Sequence, residues 1–128
     1  MKKGARLTSA EFHALAEAEL TLIPKPLRDL LVNVSIETKD SPGIEALDME
    51  EPDELLGLYA GATRAEMLSN DAHGSLPARI YLYQRNLEDI SKTESDLRKE
   101  LRLTLRHELA HHFGFDDDDL DRVWPEGA

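Results

Sequence analysis

The stretch LRKELRLTLRHELAHHFGFDDDDLD, residues 97–121, decides how the chain is read. Leu97, Leu101, Leu105, Leu109 and Phe113 recur at every fourth position. Such a row is the apolar stripe of a helix and predicts its core-facing side. His107 and His111 lie far around the same helix, on nearly the opposite face. A step of four residues turns a helix through roughly 400°, so the two imidazoles stand about 40° apart and about 6 Å apart along the axis. Both can reach one metal ion. Glu108 is the next residue along and is rotated sideways, so it can address a water on that metal rather than the metal itself. Arg98, Arg102 and Arg106 form a third row, read as solvated.

The residues after the pair extend the pattern. Gly114 lies three residues past His111 and suits the left-handed position that ends a helix. A chain that reverses there can bring residue 117 back toward the same metal, giving His-Glu-x-x-His-x-x-Gly-x-x-Asp. A catalytic zinc takes three protein ligands and keeps one position open for water, and aspartate oxygen is an ordinary ligand. Asp117 therefore fills the third-ligand place beside His107 and His111, with Asp116, Asp118 and Asp119 as alternatives. Cysteine is absent and the only later glutamate is Glu126, which narrows the choice. The bland reading is a solvated acidic run with incidental histidines. The pair, the glutamate, the glycine and a carboxylate together weigh against it. His112 points away from the pair and reads as a supporting or surface residue.

Upstream, Thr8 and Glu11 form a capping box, and Phe12, Leu15, Ala16 and Leu20 recur at helical spacing. This predicts a helix over Ser9 to Leu20, with His13 off its apolar face. Pro24 and Pro26 end it, and Pro26 can open a short helical turn carrying Leu27, Leu30 and Leu31. Val32, Val34 and Ile36 alternate with polar residues, the pattern of a half-buried strand. Residues 40–54, with Pro42, Gly43, Pro52 and many acids, read as an exposed loop. Leu55 to Gly61 reads as a short buried strand, with helix as the competing reading. Ser69 to Ser75 is turn-like and carries His73. Arg79 to Gln84 is the best strand, with Ile80 and Leu82 on one face and Arg79, Tyr81 and Tyr83 on the other. The tyrosine face either lines a cleft or packs a second core. Asn86 to Ile90 reads as a connector with a helical turn, Ser91 and Glu94 as a second capping box, and Trp124 as packed back on the body.

The 128 residues suit a single domain, 1–128, with no break or repeat. A net charge of −11 argues against nucleic acid and against anionic membranes. No apolar run is long enough to span a bilayer. No apolar stretch follows the basic start, Met1 to Arg6, and there is no cysteine, so a reducing, cytoplasmic setting is expected.

His107 to Asp117 resembles the extended motif of the metzincin-like zinc peptidases, in the variant where aspartate replaces the third histidine, as in snapalysin-type enzymes. With Leu55-Leu56-Gly57-Leu58-Tyr59 and Leu76-Pro77-Ala78-Arg79-Ile80-Tyr81-Leu82-Tyr83 before it, the chain is similar to a family of small bacterial minimal-zincin proteins regarded as zinc metallopeptidases. The likeness runs from about Ser9 to Leu120. It implies an α+β fold, with a small twisted mixed sheet packed on an N-terminal helix and a long active-site helix, and a metal cleft beneath a sheet edge. It also implies one catalytic Zn2+ on His107, His111 and Asp117, with Glu108 as general base. Metzincins carry a methionine turn after the third ligand. Here Met1, Met49 and Met67 all precede the motif, so that turn is missing.

The function expected is a zinc-dependent metallopeptidase that uses a metal-activated water. Its substrates are expected to be small or flexible peptides, because little chain follows the third ligand to wall a cleft. The expected partner is a peptide or protein substrate, added as a strand alongside Arg79 to Gln84. An anionic Asp117 would leave the water less acidified than three neutral histidines would. The competing function is a zincin-derived module that holds metal and cleaves nothing. A metal-free domain is the third reading.

Overall fold

The computed structural model describes residues 6–61, 63–68 and 77–125. The basic first five residues, the turn containing His73, and Glu126 lie outside the described residues.

Helix α1 (Ser9–Thr21) begins at the predicted cap. Thr8 Oγ1 accepts from the Glu11 N–H, and the Glu11 carboxylate accepts from the Thr8 N–H. Phe12, Leu15 and Ala16 are its buried face, whereas His13 is exposed beside Thr38 and Glu17. Proline then opens the short α2 (Lys25–Arg28), which buries Leu27. Strand β1 (Val34–Lys39) starts two residues later than the alternation suggests. Asn33 adopts a left-handed backbone, φ 62°, and breaks the extended run, leaving Val32 outside the strand and exposed.

The acidic segment 40–54 is not plain loop. It makes two 3₁₀ turns, Ile44–Ala46 and Pro52–Glu54, and buries Ala46. Strand β2 (Gly57–Ala60) follows, so the 55–61 stretch is strand rather than helix. Gly61, φ 107°, turns the chain out of it before the short α3 (Arg64–Leu68). Strand β3 (Ala78–Tyr83) runs directly into α4 (Gln84–Asp89), so the helical turn expected in the 86–90 connector is part of a helix that begins at Gln84.

The sheet order is β1-β3-β2, with β1 parallel and β2 antiparallel to β3. This corrects one expectation. The 79–84 segment lies in the middle of the sheet, hydrogen-bonded on both sides, and offers no edge to an added peptide. Among the described residues β1 and β2 are the outer strands, and β2 is the one that lies against α5.

The long helix α5 (Glu94–Phe113) carries the leucine row inward, with Leu97, Leu101, Leu105 and Leu109 essentially sealed from solvent. They pack with α1, Ile80 and Leu82 in the main core. The other sheet face forms a second, smaller core of Ala46, Leu58, Tyr81 and Tyr83. The tyrosine face is therefore a packed face, closed by the 40–54 segment. Tyr83 donates from its hydroxyl to Glu45 at 2.7 Å, and the Tyr81 and Tyr83 rings lie parallel.

Three further expectations change. The N-cap of α5 is Thr93, which accepts from the Asp96 N–H, because the Ser91 hydroxyl is buried and donates to the Leu87 carbonyl. Arg102 is not simply solvated: its Nε lies 2.7 Å from the buried carboxylate of Glu19 on α1. Arg106 donates to the Trp124 carbonyl and holds the C-terminal turn, whose Trp124 is buried as anticipated. No helix among the described residues is long and apolar enough to cross a membrane.

Candidate functional site

The site lies where the face of α5 opposite the leucine row meets β2. His107 and His111 are both exposed. Their ring centroids are 5.0 Å apart and their planes nearly perpendicular. The apolar row buried on one side of α5 is what turns these two imidazoles outward on the other.

Glu108 is different. Only 8% of its surface is exposed, although it lies between two residues of an open helix face. The cover comes from β2, which approaches α5 closely at Gly57. A Cβ added there would stand 2.7 Å from Thr104 Cγ2 and 2.9 Å from the Tyr81 carbonyl oxygen. Only glycine permits that approach, so Gly57 sets the gap in which Glu108 sits. Burial raises the pKa of the Glu108 carboxyl above the ordinary range; His107, His111 and the Tyr59 backbone N–H pull it back in part.

The β2 backbone points the right way for that contact. Leu56 accepts from the Tyr83 N–H, and Leu58 pairs with Tyr81. In an antiparallel ladder, hydrogen-bonded and non-bonded pairs alternate. Gly57 and Tyr59 therefore direct their backbone polar groups away from β3, and the Tyr59 N–H is on the side where it lowers the Glu108 pKa. Two cavities flank the carboxylate. One, of about 370 Å³, is lined by Glu54, Gly57, Glu100, Thr104, His107 and Glu108. The other, of about 290 Å³, lies between Met49, Leu58 and Tyr59 on one side and His107 and His111 on the other.

Gly114 ends α5 as foreseen, with φ 72°, its N–H bonded to Ala110 and His111 carbonyls. Asp116 then caps α6 (Asp117–Val123) in a reciprocal box with Asp119. Asp117 is the first residue of α6 and is exposed. His107, Glu108 and His111 are thus brought together. Among the described residues, no three histidine, aspartate or glutamate side chains form a metal-binding group, so Asp117 is not joined to the pair. Two imidazoles beside a buried carboxylate of raised pKa are still a donor set suited to zinc, with nitrogen ligands and a base.

Two residues were underrated from sequence. His112 is neither on the surface nor merely nearby: it is completely buried, and its Nδ1 lies 2.6 Å from the Tyr59 hydroxyl. Burial lowers the His112 pKa and pushes the Tyr59 phenol up to about 12, favouring the neutral form of each. Tyr59 was legible only as one residue of an apolar run. A position adjacent to the histidine pair but on the inner face of the helix was the available signal for His112.

The pattern of the zincin-like metallopeptidase family matches residues 31–125, most of the chain and all of the site. The chain belongs to that family, and its mixed three-stranded sheet with a long motif helix agrees with the zincin-like fold. No curated protein matches it.

Proposed function

We propose that the protein is a zinc-dependent peptidase in which His107 and His111 hold the metal, Asp117 completes the set and Glu108 is the general base. The observation that carries this reading is Glu108. A purely structural zinc needs no carboxylate between its histidines, yet here β2 is packed down to bury one and raise its proton affinity. Bound zinc supplies Lewis acidity, which acidifies a water and polarises the scissile carbonyl. Glu108 takes the proton from the attacking water and delivers it to the amine nitrogen as the C–N bond breaks. Burial, which raises the Glu108 pKa, makes the carboxylate a better proton acceptor for the first transfer. The outer position of β2 in the sheet, beside the histidine pair, supports an extended peptide as substrate, laid alongside that strand. The acidic, cysteine-free composition supports a cytoplasmic setting and disfavours nucleic acid or an anionic membrane as partner.

For Asp117 to join the histidines, the turn at Gly114 or the start of α6 has to shift. The experiment is a zinc titration against a chelator, paired with digestion of an unstructured peptide library. His107→Ala, His111→Ala and Asp117→Asn should each weaken zinc at least about 100-fold, while Asp118→Asn should not. Chelation should stop cleavage and added zinc should restore it. Unaltered affinity in Asp117→Asn would remove Asp117 from the set. The unassembled third donor favours one second reading, a metal-holding module without activity, and stoichiometric zinc without cleavage would establish that instead.

A further inference from the structure

Tyr59 touches α5 at two places. Its hydroxyl bonds His112 Nδ1 at 2.6 Å, and its backbone N–H is turned away from β3 toward Glu108, whose pKa it lowers. These partners are four residues apart, one helical turn, so a single strand residue spans a turn of the motif helix. His112 is fully buried, and its Nε2 has no hydrogen-bond partner among the described residues. Within that set, the bond to Tyr59 is what the buried ring is there to make. The two rings are also in contact, with centroids 5.7 Å apart. Phenylalanine at position 59 or leucine at position 112 would fill this space with no buried polar atom. The polar pair is needed only if the direction of the contact matters.

We propose that the Tyr59 hydroxyl–His112 bond is a positioning clamp, fixing the outer side of β2 on α5 so that the Tyr59 N–H meets the Glu108 carboxylate. This inference rests on Glu108 being the base. The clamp sets where the carboxylate points and leaves the metal ligands themselves alone. Because His112 is turned about 100° around the helix from His111 and lies one turn past Glu108, the same helical turn displays the histidine pair to solvent and is registered against the strand beside it.

The test combines amide hydrogen exchange in the metal-free protein with kinetics of the zinc-loaded one. The Leu58 and Ala60 amides face β3, while the Tyr59 amide faces away from it toward Glu108, so the three report different contacts. In Tyr59→Phe and His112→Leu, protection at residue 59 should drop about tenfold or more, with residues 58 and 60 changed less than about twofold. In the zinc-loaded protein, kcat should fall about tenfold with KM nearly constant, as for a misplaced base. His112→Asn keeps a hydrogen-bonding atom near the place of Nδ1 and should recover most of both losses relative to His112→Leu. The Tyr59→Phe/His112→Leu double variant should be no worse than either single change. Unchanged protection at residue 59, or an equal fall across 58–60, would overturn the clamp. If cleavage proves independent of Glu108, the reading of Glu108 as base fails, and the exchange pattern still decides whether the clamp exists.

Discussion

Glu108 shows how a residue is tuned by what covers it. His107 before it is open to solvent and Leu109 after it is sealed in the core; the cover over Glu108 itself comes from β2, some fifty residues away in the chain. The raised pKa has a stability consequence whose sign is fixed. A carboxyl whose folded pKa lies above its ordinary value near 4.5 favours the fold while protonated. That contribution is full below the ordinary value and is lost as pH rises through the folded pKa. Metal-free Glu108→Gln should therefore be more stable than the parent at pH 7, and the difference should shrink as pH falls below the carboxylate range. Denaturant unfolding at several pH values measures this, and a Gln variant less stable at pH 7 would contradict it. At this scale the motif was legible: spacing alone picked out His107, Glu108, His111 and the Gly114 turn. The burial of Glu108 and the partner of His112 were not, because both depend on a strand that no local pattern ties to the helix.

Between elements, the decisive contact is β2 on α5. Gly57 is the smallest part in it, and an alanine there meets Thr104 and the Tyr81 backbone below van der Waals distance. Gly57→Ala should push the strand outward, destabilise the protein by about 1–3 kcal/mol and lower any cleavage activity. Thermal unfolding and a peptide assay check both, and a neutral substitution would mean that the gap is not tight. The sequence showed β2 and β3 as strands because their apolar residues are short and concentrated. It misplaced the outer strand because strand order is a property of the whole sheet: Arg79–Tyr83 reads as the strongest strand for the same reason that it is central and cannot take a partner. The arginine row was misread in a related way. Glu19 on α1 and the Trp124 carbonyl meet Arg102 and Arg106 from remote parts of the chain.

At the scale of the molecule, the sheet separates two cores, and the acidic 40–54 segment is fastened over the smaller one by Glu45. Burial pushes the Glu45 carboxyl upward, but bonds from Lys39, Tyr83 and the Gly43 N–H outweigh it and hold its pKa at about 2. A depressed folded pKa gives stability that is complete above about 4.5 and lost as pH falls toward 2. Acid should accordingly release the 40–54 segment, exposing the Tyr81–Tyr83 face, and Glu45→Gln should flatten the stability profile over that window. Tyrosine fluorescence during acid titration reads the change, and identical profiles for variant and parent would count against the tie. This segment also carries Met49 to the histidine side of the site. One measurement addresses the central claim most directly: zinc content and peptide-library cleavage of Glu108→Gln beside the parent protein. Both should hold one zinc, and cleavage should fall by about 10²–10⁴ in the variant. Equal cleavage by the two proteins at equal zinc content would contradict the assignment of Glu108 as the base.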